Sequence, residues 1–275
     1  MLRIGDVWDS TTDVLAGRGG PLAWFAALGL VLPSAVQSAV RLYGGGSTGA
    51  AALGFVVGLV AIGLVLWAML AVIALASDPA TTRVDAGRIA LSRLPAALLV
   101  TLVAIAAVVL LTVPVGIALA VSGYDVAAAS AAPDMASMPK VSPGASLFVS
   151  LYTLVLAVVG LWVSARLLVL WPVLVVERRK IGAFGRSWRL TRGLALKLIG
   201  VTLLFTIVWG VALLAVQSVV GLAFRLLLGA ENIVAALLLA AIAGAIVTAA
   251  FVVVVQVFAT RLHAALTREG ARTSV

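Results

Sequence analysis

Charged groups are scarce in this chain, so the few beside or inside apolar sequence mark where chemistry would have to occur. Arg166 is the one charged residue within a long apolar run, LWVSARLLVLW. A guanidinium at mid-bilayer costs at least about 2.5–3.5 kcal/mol on insertion scales, and less near an interface. Arg166 falls in the inner half of an inward-running stretch, where its long stem lets the charge reach head-group level. A structural role, bonding helix ends or lipid phosphates, is therefore favoured over contact with an anionic ligand. Glu177 closes the run LLVLWPVLVV and precedes Arg178, Arg179 and Lys180. There its carboxylate is expected to cap amides or to pair locally. General acid–base work needs a second group, and no other acid is near in sequence, so no enzyme is expected.

Other chemistries are removed by composition. The chain has no cysteine, which excludes disulfides, thiolate metal sites and a cysteine nucleophile. Its one histidine, His263, is assigned to a C-terminal tail, so no histidine metal cluster is expected, and no metal or cofactor. GxxxxGK[ST] and HExxH are absent, as are a TVGYG filter and the arginine ladder of a voltage sensor. The net charge of +9 reports topology before it reports nucleic acid, which is not an expected partner.

The elements that must position these residues are membrane spans. Of 275 residues 64% are hydrophobic and 11% charged, with a mean hydropathy of +1.24. A soluble domain carries roughly 45–50% apolar and about 25% charged residues. Apolar runs at about 21–40, 51–76, 95–121, 147–171, 197–222 and 233–259, free of charge except for Arg166 and for Lys197 at the start of the fifth, are each long enough for a helix to cross about 30 Å of hydrocarbon. Their apolar residues are continuous rather than alternating, which excludes barrel strands. The expected fold is therefore all-α, a single polytopic membrane domain over 1–275. Pro33 and Pro114 fall inside spans and are expected to kink them. The first twenty residues hold Asp6, Asp9 and Asp13 and lack a signal-peptide start, so the N-terminus is expected to be retained. With that terminus inside, inner segments hold fifteen of the nineteen Lys and Arg and outer loops three, Arg41, Lys140 and Arg225. This asymmetry is expected to place both termini in the cytoplasm. The outer loop 122–146, rich in Ser, Ala, Pro and Gly, reads as a solvated connector.

A threefold pattern accompanies the spans. Each outward-going span is preceded by a short amphipathic cytoplasmic segment. Before the first, Ile4, Val7, Trp8, Thr11, Val14 and Leu15 share a face opposite Asp6, Asp9 and Asp13. Before the third, Val84, Gly87, Leu91 and Leu94 share a face. Before the fifth, Ile181, Phe184 and Trp188 do, with Arg186 and Arg189 projecting away. RIGDVWDS and KIGAFGRS match at Ile, Gly and Ser. Three like-oriented hairpins, each entered through an interfacial helix, are the expected architecture. The acidic first helix is expected either to pair with Arg186, Arg189 or the Arg88 segment, or to face water while the basic helix meets anionic head groups. Gly54 and Gly58, and Ala240, Gly244 and Thr248, have the small-residue spacing of close helix packing. Gln37, Ser38, Tyr152, Thr153, Gln217, Thr248 and Gln256 are read as interhelical hydrogen-bonding groups.

The stretch WPVLVVERRKIGAFGRSWRLTRG, 171–193, resembles the signature of the glycerophosphoryl diester phosphodiesterase membrane-domain family and related bacterial six-span proteins. Val175, Val176 and Glu177 match its first part; Ala183, Phe184, Arg186, Ser187, Trp188, Leu190, Thr191 and Gly193 match its second. The resemblance implies a membrane module rather than hydrolysis, because the chain has no residues left for a separate catalytic domain. On that pattern Trp188 seats at the interface, Arg186 reaches phosphate and Gly193 lets the backbone turn into the span. Candidate lipid or anion contacts are thus Arg166, Arg186, Arg189 and Trp188, and candidate joint residues Glu177, Ser187 and Gly193. The function expected is a non-enzymatic membrane module that organises or binds lipids, anionic ones in particular, or a membrane-protein partner. The alternative is a transporter or permease for a small amphiphilic solute.

Overall fold

A computed structural model of the chain describes residues 3–44, 48–125, 128–129, 137 and 139–273. Among these no strand occurs. The helices are α1 (Ile4–Ala26), α2 (Leu32–Tyr43), α3 (Thr48–Ser77), α4 (Arg83–Val121), α5 (Pro143–Arg166), α6 (Leu170–Val176), α7 (Gly182–Leu190), α8 (Ala195–Leu228) and α9 (Ile233–Thr273). A π-helical turn, Ala27–Val31, joins α1 to α2. Six of the resulting rods are long and apolar enough to cross a membrane, and each contains one of the expected spans. The chain is a multi-pass α-helical membrane protein. It packs as two compact units, one of Met1–Leu99 with Ala165–Val275 and one of Val100–Ser164. Of the connection 122–146, residues 126–127, 130–136 and 138 lie outside the described residues.

Local sequence explains where the first rod bends. Pro21 has no N–H, and its ring crowds the carbonyl four residues earlier, at Gly17. The backbone leaves helical geometry at Arg18, with φ −131° and ψ 20°. The expected interfacial helix is thus joined to the span by a kink, not by a loop. Pro33 sits just beyond the π turn, the irregularity that accompanies helix bends. By contrast α4 is a single helix through Pro114. The amphipathic segment expected before the third span is also part of α4, so no separate interfacial helix precedes that span. Thr82 caps α4: its hydroxyl accepts from the Asp85 N–H at 3.2 Å and donates to the Asp85 carboxylate.

The core of the larger unit lies at the end where α3 terminates. Leu70 to Ala76 are all buried, because α1, the π turn, α6 and α9 surround that end of α3. Phe25, Leu174, Val257, Phe258 and Leu262 supply the opposing side chains. Arg18 closes this end by donating to the carbonyls of Leu75 (2.8 Å), Asp78 (3.1 Å) and Thr81 (3.4 Å). A cation there satisfies carbonyls left over at the helix terminus and faces the negative end of its dipole. Away from that end α3 packs on α2, with Gly54 toward Val40 and Gly58 toward Gln37. Thr248 of α9 accepts from the Trp209 indole of α8 at 3.3 Å, and Gly244 stands against Gln217. Both small-residue patterns therefore lie at helix contacts. In the smaller unit, Tyr152 of α5 donates to the Leu111 carbonyl of α4 at 2.8 Å.

Two of the apolar faces read from the sequence are not the faces buried against the protein. In the first turns of α4 the buried positions are Ala86 and Ala90, whereas Val84 and Leu91 are exposed. On α7 they are Ala183 and Ser187, continued by Thr191 in the following turn, whereas Ile181 and Trp188 are 54% and 38% exposed. In both cases small residues mark the side on which another backbone approaches, and large apolar residues mark the lipid side. That is the membrane inversion of the soluble pattern.

Candidate functional site

The chain between α5 and α8 makes three turns in thirty residues, and each turn has a local cause. At the end of α5 the Leu170 N–H bonds the Leu167 carbonyl at 2.9 Å, a tightened turn that releases the carbonyl of Arg166. Ser187 donates to that carbonyl at 2.8 Å, while the Thr191 hydroxyl lies 3.2 Å from it and 2.9 Å from the Ser187 carbonyl. A hydroxyl of α7 thereby satisfies a helix-terminal acceptor. After α6, Arg178 adopts φ +56°, an unfavourable conformation for a residue with a side chain. After α7, Gly193 adopts φ +87°, which only glycine takes without strain. The joint is therefore held by side-chain bonds on one side and by a glycine on the other.

Glu177 sits at the centre of the joint with its side chain 17% exposed. Arg186 Nε donates to Oε1 at 3.0 Å and to Oε2 at 3.1 Å. Arg179 Nε donates to Oε2 at 3.1 Å. His263 Nε2 lies 3.2 Å from Oε1. Burial pushes the carboxyl up, but hydrogen bonds from Arg186 and His263, with the Arg186 charge, outweigh it and hold the group below its ordinary value. An ionised carboxylate only accepts, so the His263 tautomer that fits carries its proton on Nε2. One carboxylate thus ties α7 to the end of α6 and both to α9.

His263 is placed differently from the expectation. It lies not in a tail but within α9, buried at 4% exposure. Arg186 engages Glu177, rather than the acidic face of α1 as one of the two alternatives had it. Arg166 lies along the Trp188 ring at 5.4 Å, and its Nη1 is 3.5 Å from the Trp188 carbonyl. Glu177, Ser187 and Gly193 fall in the joint, and Arg166 and Trp188 stack beside it. Arg189 is exposed and belongs to the outer side of α7.

Next to the joint is an open cleft of about 420 Å³, walled by the end of α3 (Ala76, Ser77), by Val176 and Glu177, and by α9. From α9 come Thr260, Arg261, His263, Thr267 and Arg268. Among the described residues the intramembrane glutamines line three different clefts. Gln37 lines a cleft between α2 and α3, Gln217 one between α8 and α9, and Gln256 one with Trp209 and Thr248. No group of three or more metal-ligating side chains occurs among the described residues.

Fold and site together define a multi-pass helical membrane protein with a charged, cross-braced joint between its fourth and fifth spans. Comparison with protein-family models, with curated proteins and with solved structures finds no match in any of the three. The likeness of 171–193 to the phosphodiesterase membrane-domain signature accordingly rests on those residues alone.

Proposed function

We propose that this protein is a non-enzymatic module of a bacterial inner membrane, with both termini cytoplasmic, that binds anionic phospholipid along the outer side of its joint. One observation carries the reading. Arg178, Lys180, Arg189, Arg192 and Lys197 are exposed on a segment that also exposes Ile181, Trp188 and Leu196. Cations interleaved with apolar and indole side chains suit the level of the head groups. Arg186, which the sequence grouped with the lipid contacts, is better suited to bracing, since Glu177 occupies it. The permease alternative would be favoured by glutamines meeting in one chamber, and they line three separate clefts.

Each exposed Lys or Arg near an anionic surface is worth about 1 kcal/mol. Removing three together, in Arg189→Gln, Arg192→Gln, Lys197→Gln, is expected to weaken retention of phosphatidylglycerol by about a hundredfold. Native mass spectrometry of the protein released from mixed nanodiscs gives the bound-lipid distribution. Equal retention of phosphatidylglycerol and phosphatidylcholine by the unaltered chain, or no change in the triple variant, would overturn the proposal.

A further inference from the structure

We infer that the cleft beside the joint is a separate anion site, one that takes a phosphoryl group carried by a lipid head group or by a soluble phosphate ester. The inference does not depend on the lipid strip of α7, which lies on other residues. It starts from Arg261. The Nε of this side chain is buried, and no hydrogen-bond partner for it exists among the described residues. A desolvated donor is costly to leave unpaired, and a charged one more so. The charges around it compound the problem, since Arg268 and Arg18 repel it and Asp13 is the opposing charge that bears on it. Arg261, Arg268 and Arg18 against the one carboxylate of Asp13 leave an excess of positive charge, the electrostatic counterpart of a bound anion.

Geometry gives the site a shape. Arg261, Ala264 and Arg268 follow each other at i, i+3 and i+7, so they share one face of α9, and all three line the cleft. Glu177 is also on the wall, but its negative charge is already shared among Arg186, Arg179 and His263. The Thr260 and Thr267 hydroxyl protons are donated inward, to the carbonyls of Gln256 and His263. Ser77 likewise donates to Ala74. The guanidinium groups, not the hydroxyls, are therefore the donors left for a ligand. A planar fork of N–H groups matches the paired oxygens of a phosphoryl group. At about 420 Å³ the cleft is within the range of small-ligand sites, and it exceeds what a bare phosphate fills. The fit is to a phosphate ester with a small substituent.

The test uses the full chain in phosphatidylcholine nanodiscs. In one arm inorganic phosphate replaces chloride at constant ionic strength; in the other, phosphatidic acid is introduced at low mole fraction. Unfolding midpoint and ³¹P line broadening are read in both. A saturable effect in the phosphate arm, half-maximal at or below about 1 mM, assigns a soluble ligand. Saturation in the phosphatidic acid arm alone assigns a lipid head group. In whichever arm responds, Arg261→Gln is expected to weaken binding by about tenfold or more, while the triple variant at Arg189, Arg192 and Lys197 keeps it. Should Arg261→Gln not fold, Arg268→Gln, on the exposed wall, is expected to show the same loss. No saturation in either arm, or unchanged binding in the arginine variants, overturns the inference.

Discussion

At the residue scale, the joint depends on one carboxylate with three partners. Glu177→Gln keeps the volume and one acceptor oxygen but removes the charge that Arg186, Arg179 and His263 share. Hydrogen bonds to charged groups are worth about 1.5–3 kcal/mol each, and the partial exposure of this cluster points to the low end. A loss of about 1–3 kcal/mol is expected, measured as a shift of the unfolding midpoint in mixed micelles. The same group sets an acid limit. Its folded pKa lies below the ordinary 4.5, so its contribution is fully present above the unfolded value and is lost as pH falls through the folded one. The unaltered chain should therefore lose stability relative to Glu177→Gln as pH falls below about 4.5. Parallel pH profiles for the two proteins would show that the charge does not act through this cluster. The sequence made Glu177 visible as an acid closing an apolar run, and local pairing with Arg179 was within its reach. It could not show His263, whose contact spans eighty-six positions. An apolar stretch ending near 259 made the histidine look like a tail, because continuation of a helix past its apolar run leaves no mark in hydropathy.

At the element scale, the informative residues are those too small to be noticed. Gly54 and Gly58 carry the recognisable GxxxG spacing, yet a Cβ there meets Val40 and Gln37 at ordinary distances of 3.7 and 3.6 Å. The closest approach lies elsewhere. A Cβ on Gly29, in the π turn, would stand 2.1 Å from the Ala68 Cβ and 2.9 Å from the Leu64 carbonyl oxygen. Neither atom can swing aside, since both belong to α3 near its backbone. On Gly244 the nearest atom is the Gln217 Nε2 at 2.8 Å, the far end of a flexible side chain. Gly29→Ala is accordingly expected to cost about 1–3 kcal/mol or to prevent assembly. Gly244→Ala should cost much less, although Leu213 at 3.1 Å and the Gln217 stem at 3.3 Å must also give slightly. Thermal unfolding of both in the same detergent makes the comparison, and equal loss would refute this account of the α1–α3 contact. Small residues mark the packed side of α4 and α7 as well. Lipid solvates Val84, Leu91 and Ile181 and leaves Ala86, Ala90 and Ser187 for the protein interior.

At the scale of the whole molecule, the number and placement of the six spans were legible because each requires a long apolar run, and length alone separates such a run from a soluble helix. The structure adds that much of their surface is for lipid: Leu102, Leu110, Leu204, Val211 and Leu214 are exposed along α4 and α8. The proposed orientation rests on a different physical rule, the retention of Lys and Arg on the cytoplasmic side. The fold makes that rule testable at two matched positions. Gly5, in the first turn of α1, and Gly144, in the first turn of α5, are both exposed, and an added Cβ at either meets nothing within 4 Å. The chain contains no cysteine, so a single introduced thiol is the only one a maleimide can find. With fifteen basic residues on the Gly5 side and three on the Gly144 side, Gly144→Cys should be labelled by a membrane-impermeant maleimide in intact spheroplasts. Gly5→Cys should be labelled only after the membrane is opened. Labelling of Gly5→Cys from outside would invert the topology and move the exposed strip 178–197, the joint and the arginine cleft to the outer surface, away from the leaflet and solutes proposed for them.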